Sequence, residues 1–232
     1  MKKAVLIFMI FSLVVFPGCR QTYDIKDNTL NRENQPDSAE YSEAASTQST
    51  EDVLNQLASQ EFFIPGEKLS DADEETITAF GKAFVNLYNG AVGDQKKVSF
   101  EKYISNKNLR EFTDKMLELT QKRKLQGGSA VNYGLKNEFG QAEIQQIQDN
   151  LYYIELPFQF EGSGQTCKIL ITVEDKSLKL ADLYFGTKDG VDTSATGHPA
   201  EREINNPDLW EDEAWVKGVF DRLEGIEKSL GS

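Results

Sequence analysis

Histidine is nearly absent from this chain: His198 is the only one in 232 residues. A single imidazole excludes any multi-histidine metal site. Cysteine is almost as scarce, with Cys19 and Cys167 alone. Cations are outnumbered, 25 Lys and Arg against 38 Asp and Glu, for a formal net charge of −13. That balance argues against phosphate-backbone binding, which needs clustered Lys and Arg, so no nucleic-acid partner is expected. No phosphate-cradling glycine loop, Gly-x-Ser-x-Gly elbow or His-Glu-x-x-His pair occurs. No cofactor or metal is expected, no residue is assigned a catalytic role, and the reading is of a non-enzyme.

Long apolar runs are missing too, with one exception at the N-terminus. Lys2 and Lys3 precede an almost unbroken apolar stretch from Ala4 to Phe16, which ends at Pro17-Gly18-Cys19. The run is short of the roughly 20 apolar residues that span a bilayer. Its charge, length and position match an export signal. The site resembles that of bacterial lipoproteins, with Gly18 before Cys19, although Phe16 and Pro17 depart from the usual pattern. The resemblance implies cleavage after residue 18, acylation of Cys19, and a location on the extracytoplasmic side of a cell membrane. Two or three acyl chains on one residue make a stable anchor. The alternatives are an ordinary secretory signal with an incidental cysteine, or an uncleaved anchor. Losing residues 1–18 removes two lysines and no acid, which takes the net charge from −13 to −15. Such a surface is repelled by anionic head groups, so the membrane partner is reached through the acyl chains. With Cys19 acylated, Cys167 has no partner in the chain and reads as a buried thiol.

Residues 19–48 are polar and nearly empty of apolar side chains. They cannot bury enough surface to offset their ordering entropy and read as a disordered tether. Residues 49–69 hold a short helix from Thr50 and a connector in which Phe62, Phe63 and Ile64 pack onto the domain. The domain proper spans 70–186. Ser70 with Asp73 opens a helix carrying Ile77, Phe80, Phe84 and Leu87 on one stripe, with Asn89-Gly90 as its stop. A second helical region covers about 97–125, with Phe100, Tyr103 and Ile104, then Leu109, Phe112, Met116 and Leu119; Gly127-Gly128 ends it.

After Ser129 the apolar period changes from 3.6 to 2. Val131, Tyr133 and Leu135 alternate, and the more polar segment around Ile144 and Ile147 reads as an edge strand. Tyr152, Ile154, Leu156, Phe158 and Phe160 form one strong strand, and Cys167, Ile169, Ile171 and Val173 the next. Gly162-Ser163-Gly164 and Asp175-Lys176-Ser177 are the turns. Leu178, Leu180, Leu183 and Phe185 break phase, which places a bulge near Ala181-Asp182. The expected class is α+β: N-terminal helices on a curved antiparallel sheet of about four strands, plus a C-terminal amphipathic helix. Residues 187–206 read as a polar linker. Residues 207–232 read as that helix, starting at Asn206-Pro207 and carrying Trp215, Val219, Phe220, Leu223, Ile226 and Leu230 on one face.

Helices followed by an antiparallel sheet is the order of the NTF2-like, or cystatin-like, superfamily. Phe84, Leu87-Tyr88-Asn89-Gly90 and Tyr103-Ile104-Ser105 resemble the first helix and following hairpin of small NTF2-like lipoprotein domains. The resemblance implies a cone whose mouth serves ligands, partners or, less often, catalysis. Some relatives hold a carboxylate inside the cone, which makes Asp182 a candidate base; the competing expectation is a solvent-facing strand aspartate. Lys122-Arg123-Lys124 either touches lipid head groups or complements a helix C-terminus. Trp210 and Trp215 are candidate interaction residues, with Trp215 the more tied to the helix stripe. The functional expectation is a membrane-anchored domain that binds an unknown protein or small ligand. The alternatives are an accessory subunit of a conjugation or secretion assembly, or an enzyme using the cone carboxylate. The C-terminal helix is expected to dock on its own domain rather than on a partner.

Overall fold

A computed structural model describes residues 49–64, 68–127 and 137–231. Cys19, the tether, the alternation at Val131, Tyr133 and Leu135, and the Pro65-Gly66 turn lie outside the described residues. The fold is α+β: helices packed on an open antiparallel sheet, with a C-terminal helix.

Helix α1, Thr50–Ser59, and α2, Asp71–Asp94, both begin at a capping box. In α2 the Ser70 hydroxyl accepts the Asp73 N–H, and the Asp73 carboxylate accepts the Ser70 N–H at 2.9 Å. Two orphan donors are thereby satisfied. Ile77, Phe80, Phe84 and Leu87 are all buried. The helix does not stop at Asn89-Gly90. It continues to Asp94, and Gln95 takes the left-handed cap at φ 57°. Burying Ala91 and Val92 in one more turn outweighs the roughly 1 kcal/mol helix penalty of a glycine.

The second helical region is shorter than its periodicity suggests. Helix α3 spans Lys107–Gln126, capped by Asn106 and ended at Gly127. Phe100, Tyr103 and Ile104 are buried from a turn instead, whose Tyr103 and Ile104 N–H groups both donate to the Phe100 carbonyl. Of the connector, Phe62 is buried but Phe63 is 74% exposed, because an extended segment points its neighbours to opposite sides.

The sheet has five strands: β1 Glu138–Phe139, β2 Glu143–Gln148, β3 Leu151–Phe160, β4 Ser163–Glu174 and β5 Ser177–Tyr184. Strands β1 and β2 pair with successive stretches of β3, so they share one edge and the sheet runs β1/β2–β3–β4–β5. The β3–β4 turn falls on Glu161-Gly162 and the β4–β5 turn on Asp175-Lys176, each with positive φ at both positions. Such two-residue turns match the twist of the strands they join. Register slips between Leu170↔Asp182 and Ile171↔Leu180, which sets the bulge at Ala181. The free edge of β5 is blocked where the Leu180 N–H donates to the Tyr103 carbonyl at 2.8 Å.

One face of the sheet carries Ile154, Leu156, Ile169 and Ile171 against the helices in the main core. Gly81 lets α2 approach closely: a Cβ there would lie 3.1 Å from Leu156 Cδ1. The other face carries a smaller cluster of Leu151, Leu170, Ala181 and Tyr184, covered by Ile204.

The region beyond the sheet is more ordered than a polar linker. Helix α4, Val191–Thr196, buries Val191, Asp192, Thr193 and Ala195. A 3₁₀ turn, Pro207–Glu211, precedes α5, Glu213–Leu230. The C-terminal helix therefore starts later than Asn206-Pro207. Asp212 is its cap, accepting the Ala214 and Trp215 N–H groups. Helix α5 docks on its own domain. Val216, Val219 and Leu223 are buried, while Trp215, Phe220, Ile226 and Leu230 are half-buried against the same core. Lys115 and Lys122 of α3 pair with Glu227 at 2.8 and 3.0 Å, and the Arg222 Nε donates to the Ala195 carbonyl at 2.5 Å.

Candidate functional site

The interior between helices and sheet is filled by side chains such as Phe80, Phe84, Phe100 and Phe112, all fully buried. Space opens at one end. A cavity of about 380 Å³ lies between α2, the end of α3, the β3–β4 turn and the β5–α4 loop. Its apolar wall includes Tyr88, Met116 and Phe185. The Tyr88 and Phe185 rings pack at 4.8 Å, and the Tyr88 hydroxyl lies 3.4 Å from that of Thr120. Burial pushes the Tyr88 hydroxyl far above its ordinary value, and Asp192 adds to the rise.

Asp192 is the buried carboxylate of this mouth. One oxygen, Oδ2, accepts the Phe185 N–H at 2.7 Å and the Gly186 N–H at 2.8 Å. Burial raises its pKa, and these backbone donors hold part of the rise back. The carboxylate thus fixes the turn that leaves β5. Gly186 is required there. It sits at φ +63°, and a Cβ would lie 2.7 Å from Tyr184 Cε1. That ring cannot yield, because its hydroxyl donates to the Gly197 carbonyl. Gly186→Ala is expected to lower stability by about 1–3 kcal/mol in urea denaturation. An unchanged midpoint would show that the turn relaxes freely.

The basic cluster divides. Lys122 faces α5 and pairs with Glu118 and Glu227. Arg123 and Lys124 line the mouth. The Arg123 Nη1 donates to the Asp189 carbonyl at 2.6 Å. The Lys124 ammonium pairs with Glu161 and sits 5.7 Å from the Phe160 ring centroid. Asn89, also at the mouth, donates to Asn137, which donates in turn to Asn86, both at 2.7 Å.

Asp182 is neither solvent-facing nor in the mouth. It is fully buried at the bulge. Its Oδ2 accepts from Arg202 Nη2 at 2.5 Å, and its Oδ1 accepts from the Trp210 indole N–H at 2.8 Å and the Leu183 N–H at 2.9 Å. Burial raises the Asp182 pKa, and Arg202 and Trp210 counter the rise. The bulge adds a residue, so Ala181 and Asp182 both leave the inner face between Leu180 and Leu183. The segment carrying Arg202 and Trp210 then closes over them. Arg202 is the residue that the sequence did not single out. Its one signal is a lone arginine between Glu201 and Glu203.

The tryptophans reverse their expected order. Trp210 is fully buried, packed 4.9 Å from Phe112 and edge-on to Trp215 at 4.8 Å. Trp215 is half-buried, with the Arg202 guanidinium 5.3 Å from its ring centroid. Neither is an exposed platform. Cys167 is fully buried opposite Leu156, and burial pushes its thiol well above the ordinary value. Such a thiol is unreactive.

A larger depression of about 950 Å³ lies over the outer sheet face, across Glu155, Pro157, Thr166 and Lys168. Those residues are outward-facing strand side chains, and the depression reaches the buried Phe158 and Phe185 at its edge. The mouth is the smaller of the two and combines apolar walls with a few polar groups, a combination common in ligand pockets. Among the described residues no group of three His, Cys, Asp or Glu side chains can hold a metal ion, and no helix is long and apolar enough to cross a membrane. No family model, curated protein or solved structure matches the chain.

Proposed function

We propose that this protein is a lipid-anchored extracytoplasmic lipoprotein whose NTF2-like domain is a binding module, with the mouth as its ligand site. The observation that carries this reading is the mouth itself: an apolar-walled cavity of about 380 Å³ at the open end of an otherwise filled interior. The buried carboxylate at its edge is held by backbone donors. That suits a fixed wall better than a group that moves a proton, so the module is read as non-enzymatic. The NTF2-like reading rests on the order of helices before sheet and on the sequence at Phe84, Leu87-Tyr88-Asn89-Gly90 and Tyr103-Ile104-Ser105. The Lys2-Lys3 region, the apolar run and Gly18-Cys19 support the anchor.

The anchor is tested by growing cells with an azido fatty acid. The wild-type chain is expected to take the label, and Cys19→Ala to lose it. Label that persists in Cys19→Ala would overturn acylation at this residue.

A further inference from the structure

Two cations meet at the mouth, and each already holds an oxygen of the domain. Arg123 holds the Asp189 backbone carbonyl, and Lys124 holds the Glu161 carboxylate. We infer that the mouth binds a small amphiphilic carboxylate. Its head sits on Arg123 and Lys124 in place of these internal oxygens, and its apolar body lies against Tyr88, Met116 and Phe185. The inference rests on the reading of the domain as a binding module.

The chemistry of the pair favours this class. A carboxylate stands on Lys124 in the structure, so the geometry accepts that group. The Lys124 side chain is only 9% exposed, so its ammonium depends on an anionic partner. Glu161 stands at a turn and its side chain is 34% exposed, so its contact with Lys124 is open to competition from solvent and solutes. Exchanging one carboxylate for another keeps the charge count at Lys124 unchanged, whereas an amine would lose the pairing. Arg123 spends one donor on the Asp189 carbonyl, and a guanidinium carries five in a fork that fits a carboxylate.

The other charges at the mouth limit the head group to a monoanion. The acids there are Glu161, Asp189 and Asp192, three against two cations. Asp192 is engaged by the Phe185 and Gly186 N–H groups, and Glu161 gives up Lys124 on exchange. A dianion such as a phosphate monoester would still meet surplus negative charge. The volume stands near the lower end of ligand pockets, roughly 300–1,000 Å³, which fits one ring or a short alkyl chain.

The test uses the full acylated chain in lipid nanodiscs, with empty nanodiscs as the partition control. Fluorine NMR titrations compare 4-fluorophenylacetate, 4-fluorophenethyl alcohol and 4-fluorophenethylamine, which share a body and differ in the head. The acetate is expected to bind tightest and the amine weakest. Lys124→Gln and Arg123→Gln are each expected to cut the preference for the acetate over the alcohol about tenfold, the loss of one charge-assisted hydrogen bond. A near-ultraviolet circular dichroism signal and a urea midpoint close to those of the wild type show that the variants fold. Lys124→Arg should retain the preference, and Glu161→Gln should tighten the acetate by removing its competitor. Equal binding of all three probes, tightest binding of the amine, or no effect of Lys124→Gln would overturn the carboxylate class while leaving a binding module in place. Binding by no probe would overturn the inference and the mouth as a ligand site together. Loss of the fatty-acid label in the wild-type chain bears on the anchor alone.

Discussion

Asp182→Ala is expected to destabilise the domain by about 3–5 kcal/mol, because it strands a buried arginine. The side chains of Asp182 and Arg202 are 0% and 3% exposed. Once the carboxylate is gone, the guanidinium stays in an apolar surround and the Trp210 indole N–H loses its acceptor. Arg202 Nε is already buried without a hydrogen-bond partner, and the Glu203 carbonyl on Nη1 and the Trp215 ring are both uncharged, so neither replaces the carboxylate. The pair itself is expected to add little, since desolvating two charges offsets most of their attraction. Asp182→Leu combined with Arg202→Met should therefore recover most of the loss. Urea denaturation of both single variants and the pair gives the coupling directly. Additive losses would show that the two groups do not act together.

The pH dependence follows from the same burial. Asp182 and Asp192 both have pKa values raised by burial above their unfolded values. Each binds its proton more tightly when folded, so its favourable contribution is complete below about pH 4, the ordinary carboxylate range. It is lost as pH rises through the raised folded value. Asp192→Asn should make the fall in stability across that window shallower in a urea series, with the Asp182 share remaining.

The inner face of the sheet was legible because burial of one face imposes a period of two. Tyr152, Ile154, Leu156, Phe158 and Phe160 alternate in sequence and are all buried. The bulge was legible for the same reason, as a break in that period. Local punctuation was less reliable. Asn89-Gly90 reads as a helix stop, yet the apolar residues behind it carry α2 onward. The polar residues 187–206 hide α4, whose Val191 and Ala195 are four apart and bury one short face. The two groups at Asp182 could not be paired from sequence. Arg202 is 20 residues away, and only the wrapping of the segment after the sheet brings it to the bulge. The mouth was harder still. Arg123 and Lys124 read as helix-end cations, and what marks them out is the arrival of two separate loops, at Glu161 and at Asp189, opposite them.

Truncation after Asn205 is expected to abolish cooperative folding. It removes Trp210, Val216, Val219 and Leu223, all buried in the main core. At about 1.5–3 kcal/mol for each large side chain, the loss is roughly 6–12 kcal/mol before the ordering entropy of the helix is subtracted. Whole domains are stable by only about 5–15 kcal/mol. The damage does not end with the removed residues. Phe112 loses the Trp210 ring, the Asn108 amide loses the Trp210 carbonyl, and α4 loses the Arg222 contact to Ala195. The truncated chain should bind a dye for exposed apolar surface and lose its near-ultraviolet signal, as in compact states without fixed packing. Trp210→Ala alone should cost about 3–5 kcal/mol, the range for emptying an aromatic core position. A truncated chain that melts as sharply and as high as the full one would mean that α5 is a detachable element. Its apolar stripe would then be free for a partner, and the docked arrangement would not be what holds the core together.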